Sequence, residues 1–163
     1  MFELKTISRE AIARSIEKAE RYRLLNEPAL AESICLDILR AEPANQQALI
    51  VLLLALTDQV NSGMAESRPR ELLDRIEGEY ERAYYAGIIS ERKALAQLHR
   101  GMREGEFAAY DGLREAMQWY EKAEALRPPE NDDAALRWNA CARTITGQRL
   151  VAKTEDDFCP LLE

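Results

Sequence analysis

Apolar residues return every three or four positions along most of this chain, the period of an amphipathic helix rather than the alternation of a strand. Ile12, Ile16, Ala19, Tyr22 and Leu25 form the first stripe, with Ser8 placed to cap it and Glu10 near the positive end of its dipole. Pro28 suits the first turn of a second helix. The apolar face of that helix is Leu30, Ile34, Cys35, Ile38 and Leu39, and Pro43 ends it. A third helix begins around Asn45. From Ala48 to Leu56 it is apolar on nearly every side, which puts it at the centre of the fold, covered by neighbours.

Asn61 to Pro69 is the most loop-like internal stretch. After it Leu72, Leu73, Ile76, Tyr80, Ala83, Tyr84, Gly87, Ile88, Leu95 and Leu98 keep helical spacing almost to Gly101. The phase passes through Gly78 undisturbed, so the spacing predicts one long helix over 69–100, the alternative being two helices parted at Gly78. Gly101 to Gly105 reads as a turn. Ala109, Leu113, Ala116, Met117, Tyr120, Ala123 and Leu126 then make a fifth helix, stopped by Pro128 and Pro129. Asn131 caps a sixth, whose stripe is Ala135, Trp138, Ala142 and Ile145, ending at Gly147. No strand signal appears. The pattern predicts an all-α domain over 1–147, about six antiparallel helices with the fourth and fifth extended and the last acting as a cap, followed by a tail over 148–163.

Charge narrows the function. The chain of 163 residues carries a net charge of −7, and the stretches 1–45, 46–78, 79–127 and 128–163 are each acidic. That predicts no basic patch and no nucleic-acid partner, because phosphate binding needs clustered Lys and Arg. Cys35, Cys141 and Cys159 are far apart and outside any C-x-x-C pairing, which argues against a disulfide framework or zinc site and fits a reducing compartment. No apolar run is long enough to span a bilayer, and the first residues lack the apolar core of a signal peptide. The expectation is a soluble cytoplasmic protein without a membrane partner.

The helical stripes also carry a recurring set of residues. Ala19-x2-Tyr22, Ala31-x3-Cys35 and Pro43 resemble the tetratricopeptide (TPR) repeat, and Ala116-x3-Tyr120 leading to Pro128 looks like a second copy of its exit. Small residues in that repeat let paired helices approach, the aromatic fills the groove, and Pro ends the second helix. Pro43 and Pro128 are two and a half periods apart, so an extended pair or insertion lies between them. Ser15 and Lys18 stand where the repeat usually has Trp and Leu. The segments YYAGIISER (84–92) and 113–143 are also similar to bacterial TPR-like proteins with no assigned activity.

The resemblance implies a helical groove that binds a protein segment. Its lining would be Ile16, Glu20 and Arg23 from the first helix and Gln47, Ile50 and Leu54 from the third, with Tyr84 and Ile88 from the fourth; plain core is the alternative for Ile50 and Leu54. The carboxylate clamp of chaperone-binding TPR domains is missing, since Ile16, Glu20 and Val51 occupy the matching positions. Tyr85 and Trp119 lie beside the stripes and are expected as exposed anchors, while Tyr80, Tyr110, Tyr120 and Trp138 pack between helices. The apolar end FCPLLE (158–163) either docks in a groove, docks on another copy or stays unstructured.

Catalytic chemistry finds little support. His99 is the single histidine, the carboxylates read as solvated helix faces, Cys35 sits on an apolar stripe, and no phosphate loop or di-iron ligand set is present. No cofactor or metal is expected. The function expected is a non-enzymatic adaptor or assembly module. The alternatives are a homo-oligomeric structural protein that self-associates through the Tyr84–Trp119 region, or a small-molecule binder with ionisable groups near His99, in a pocket between the fourth and fifth helices.

Overall fold

The protein's structure, a computed structural model, describes residues 2–60 and 67–154. It is all-α, with no strand among the described residues. A 3-10 turn at Arg9–Ala11 leads into α1 (Ile12–Leu24), followed by α2 (Pro28–Ala41), α3 (Gln46–Asp58), α4 (Ser67–Leu73), α5 (Glu79–His99), α6 (Arg103–Leu126) and α7 (Asp133–Gln148). Pro28 begins α2, and Asn45 caps α3 by accepting the Ala48 amide at 2.9 Å. Asn131 accepts the Asp133 amide at 3.0 Å at the head of α7. Ser8 precedes the 3-10 turn and makes no side-chain cap.

The single helix expected over 69–100 is two helices. Gly78 adopts φ 88°, a left-handed conformation that suits glycine, and stands as the N-cap of α5. The turn before it is pinned from α3: Gln46 donates to the Arg75 carbonyl and accepts the Glu77 amide at 2.8 Å. Ile76 plugs the core at 1% exposure, and Arg82 donates to its carbonyl. The apolar phase crossed Gly78 only because Ile76, like the helical residues around it, points inward. The turn expected at Gly101–Gly105 is also shorter, since α6 starts at Arg103. Gly105 already lies inside that helix, where a Cβ would stand 2.7 Å from the Gln97 carbonyl oxygen.

Consecutive helices pack on one another, and α3 also touches α1 and α5. Two apolar cores result. The first gathers α1 to α4 and Ile89 around α3, whose Ala48, Leu49, Val51, Leu52, Leu53, Ala55 and Leu56 are all buried. The second joins α5, α6 and α7 and includes Leu150, so packing continues past α7. Leu54 and Tyr85 touch both cores. The stripe ends Leu25 and Leu30, expected to face inward, are exposed.

The α5–α6 contact is the most extensive and the closest. Gly87 lies under the Tyr120 ring, where a Cβ would come within 2.5 Å of a ring carbon, and Gly112 faces Ala94 in the same way. Gly87→Ala is therefore expected to lose about 1–3 kcal/mol through overpacking. Gly147→Ala, in the last turn of α7 with nothing within 4 Å, is expected to gain a few tenths to about 1 kcal/mol from its better helix propensity. Urea unfolding followed by circular dichroism measures both, and equal effects would contradict this account of the contact.

Candidate functional site

Three clefts converge enough chemistry to hold a ligand. The largest, 560 Å³, runs between α2, α3 and α4. Helical spacing builds its walls: Leu36, Leu39 and Arg40 are one turn of α2, and Leu52 and Leu56 are successive turns of α3. Arg68, Glu71, Leu72 and Arg75 follow at i, i+3, i+4 and i+7 along α4 and the turn after it. Leu39, Leu52, Leu56 and Leu72 form a buried floor, while Leu36 stands 48% exposed at the edge. Arg68 reaches Glu32 at 2.6 Å, and Arg75 donates to the Pro43 carbonyl at 2.8 Å.

The second cleft, 410 Å³, gathers the C-terminal ends of α1, α3 and α5. There Asp58 accepts from Arg23 at 2.8 Å and faces Arg92 at 3.8 Å, with Thr57, Leu95 and His99 nearby. This carboxylate ties three helices together. The third cleft, 340 Å³, lies between α4, α5 and α6 and holds Arg70, Arg82, Lys122 and Trp119, with Asp74 and Glu79 opposing their charge. The Lys122 ammonium sits 5.2 Å from the Trp119 ring centroid, a cation–π contact.

Of the residues expected to bind a partner, two line these clefts: Arg23 in the second and Trp119 in the third. Ile16 and Ile88, at 4% and 2% exposure, belong to the cores and are unavailable to a ligand. Ile50, Leu54 and Tyr84 are half-buried and packed against those cores, and Glu20 and Gln47 are exposed on α1 and α3. Tyr85 is not an exposed anchor. It joins both cores, and burial pushes its phenol up to about 12. The ionisable cluster near His99 lies on the side of α5 facing α1 and α3, and a separate cleft of 330 Å³ between α5 and α6 holds Lys93, Asp111 and Glu115 beside the close approach at Gly112.

Two features were not read from the sequence. One is the arginine side of the first cleft: Arg40, Arg68 and Arg75 lie up to 35 positions apart and meet only in the fold, with Arg68 paired to Glu32. Leu36, off the α2 stripe, was the one local signal. The other is a buried polar network. Glu91, 6% exposed, accepts the Tyr120 hydroxyl at 2.5 Å and pairs with Arg137 at 3.1 Å, joining α5, α6 and α7. Burial, then the Glu91 carboxylate, pushes the Tyr120 phenol far above its ordinary value.

Candidate nucleophiles are sequestered. Burial pushes the Cys35 and Cys141 thiols up to about 12, and both are free of disulfides. Cys159 and the FCPLLE stretch lie outside the described residues. Among the described residues, no group of three or more His, Cys, Asp or Glu side chains could hold a metal ion, and no helix is long and apolar enough to cross a membrane. No family model, curated protein or solved structure matches this chain.

Iodoacetamide near pH 8 should leave Cys35 and Cys141 unmodified in the folded protein and label both after unfolding, read by peptide mass spectrometry. The same shifts fix a sign. Unfolded thiols ionise around the ordinary 9.0 while the folded ones stay neutral to about 12, so stability falls as pH rises through that window. Arg137→Met, which leaves the Glu91 carboxylate buried without its cation, should cost about 2 kcal/mol. Thermal unfolding would show it, and an unchanged melting temperature would mean that the pair contributes nothing.

Proposed function

We propose that the protein is a non-enzymatic interaction module, a TPR-like helical repeat that binds a segment of another protein. The observation that carries this reading is the α2–α3–α4 groove: a buried leucine floor, a half-exposed Leu36 and a charged rim. An apolar trough edged by charge takes the apolar face of an amphipathic segment, with the rim setting its register. The groove differs from the concave face that the TPR resemblance implies. It lies where the second helix of one pair meets the next, and Glu20, Gln47 and Ile50 are outside its lining.

Supporting the repeat reading, Ala19, Ala31 and Cys35 are fully buried where α1 and α2 pack, and Ala116 and Tyr120 hold the same role between α5 and α6.

A displayed random-peptide library panned against the full chain tests the reading. A shared sequence motif should be enriched by the wild type and lost on Leu36→Glu, a change at an exposed edge that leaves the fold intact by circular dichroism. Loss on Glu20→Arg with Gln47→Lys instead would move the site to the α1–α3 face. If no motif is enriched, the module does not bind linear segments.

A further inference from the structure

Resting on that reading, we infer that the groove's occupant is an acidic amphipathic segment, with leucine-like anchors on one side and Asp or Glu flanking them. The floor fixes the first half of this description. Leu39, Leu52, Leu56 and Leu72 present only apolar surface to whatever lies in the groove, and Leu36 adds exposed apolar area at its edge. A segment that covered them with polar groups would strand its own hydrogen-bonding atoms against hydrocarbon.

The rim fixes the second half. Of the three lining arginines Arg68 is paired with Glu32 at 2.6 Å, which leaves Arg40 and Arg75 against one lining acid, Glu71, in a chain whose net charge is −7. Arg75 is held by a neutral partner, the Pro43 carbonyl, so its charge is positioned without being cancelled. Arg40 is exposed and forms no ion pair among the described residues. It is also shared with a neighbouring cleft lined by Lys5, Arg9 and Asp37, so the positive strip continues beyond the groove toward the N-terminal segment. Two adjoining clefts therefore carry the same sign of charge against the sign of the whole molecule.

Arg68 is already paired with Glu32 at 2.6 Å, so Arg40 and Arg75 are the rim charges that meet a partner's carboxylates. Guanidinium–carboxylate pairs at a rim contribute orientation and charge selection more than raw affinity, while Leu36, 48% exposed, supplies most of the apolar area a partner can cover.

Fluorescence anisotropy with three labelled synthetic peptides and the full chain provides the test. One peptide carries Leu anchors with Glu flanks, one the same anchors with Lys flanks, and one Ser in place of Leu with Glu kept. The Leu/Glu peptide should bind about tenfold or more tightly than either of the others, and should weaken as salt rises from about 50 to about 300 mM. Arg40→Glu with Arg75→Glu should reverse the charge preference, and Leu36→Glu should abolish binding. Equal binding of the Glu and Lys peptides, both lost in Leu36→Glu, would overturn the acidic occupant and leave the groove reading standing. If no peptide binds, the groove reading fails as well. A labelled single-stranded oligonucleotide that binds in preference, unaffected by Leu36→Glu, would identify the strip as a phosphate-binding surface and overturn the proposal. A sedimentation mass above one chain, lost in Leu36→Glu, would assign the groove to a second copy.

Discussion

A helix that is apolar around nearly its whole circumference has to be covered around its whole circumference, and α3 imposes that demand on this fold. From Ala48 to Leu56 every residue but Ile50 and Leu54 is buried, and those two are half-buried. At about 1.5–3 kcal/mol for each large side chain removed from water, this one helix outweighs any hydrogen bond in the molecule. The positions of α1, α2, α4 and α5 follow from it, since each must lay an apolar face against α3. The neighbours are unequal, however. α4 is seven residues long and α2 fourteen. Between them Leu39, Leu52, Leu56 and Leu72 stay buried, and among the described residues Leu36 is the apolar side chain left exposed at the edge of the cleft.

The second half solves the opposite problem. α5 and α6 carry long amphipathic stripes, and they reach close contact by removing side-chain volume at Gly87, Gly105 and Gly112. Tyr120 fills the space over Gly87 and carries its hydroxyl to a carboxylate, Glu91, that burial would otherwise penalise. Arg137 completes the charge from α7. A buried pair of this kind adds little net stability compared with apolar packing, but it ties α7 to α5 through a charge that Tyr120 alone leaves uncompensated. Asp58 acts similarly at the ends of α1, α3 and α5, with one carboxylate between two guanidiniums.

Much of this was legible in the chain because it depends on local spacing. Pro28, Asn45, Pro43 and Asn131 mark helix ends through backbone chemistry that needs no tertiary context, and the apolar stripes of α1, α3 and α6 follow from period alone. Gly78 was misread because the signal was ambiguous. An inward-facing residue in a turn, Ile76, has the same polarity as one on a helix, and what breaks the helix is a side chain from α3, Gln46. Tyr85 was misjudged for a related reason: periodicity ranks residues by angle around their own helix, whereas burial depends on which neighbours arrive. Ile16 lies on its stripe and is buried, and only the repeat resemblance placed it in a groove. Trp119 and Arg23 reached clefts because their positions at stripe edges coincide with the edges of helix contacts.

The groove escaped because its charges are non-local. A count along the chain finds every stretch acidic, and charge along a sequence predicts surface potential only where neighbours in sequence are neighbours in space. In a stack of antiparallel helices, residues i and i+35 meet as readily as i and i+4. Arg40, Arg68 and Arg75 come from three turns of chain that an acidic average conceals, and Lys5 and Arg9 extend the strip from a fourth. The other clefts mix their charges more evenly, Arg70, Arg82 and Lys122 facing Asp74 and Glu79 in one and Arg23 and Arg92 sharing Asp58 in another. Local charge in this fold is therefore set by which helices meet and not by the net charge of the chain.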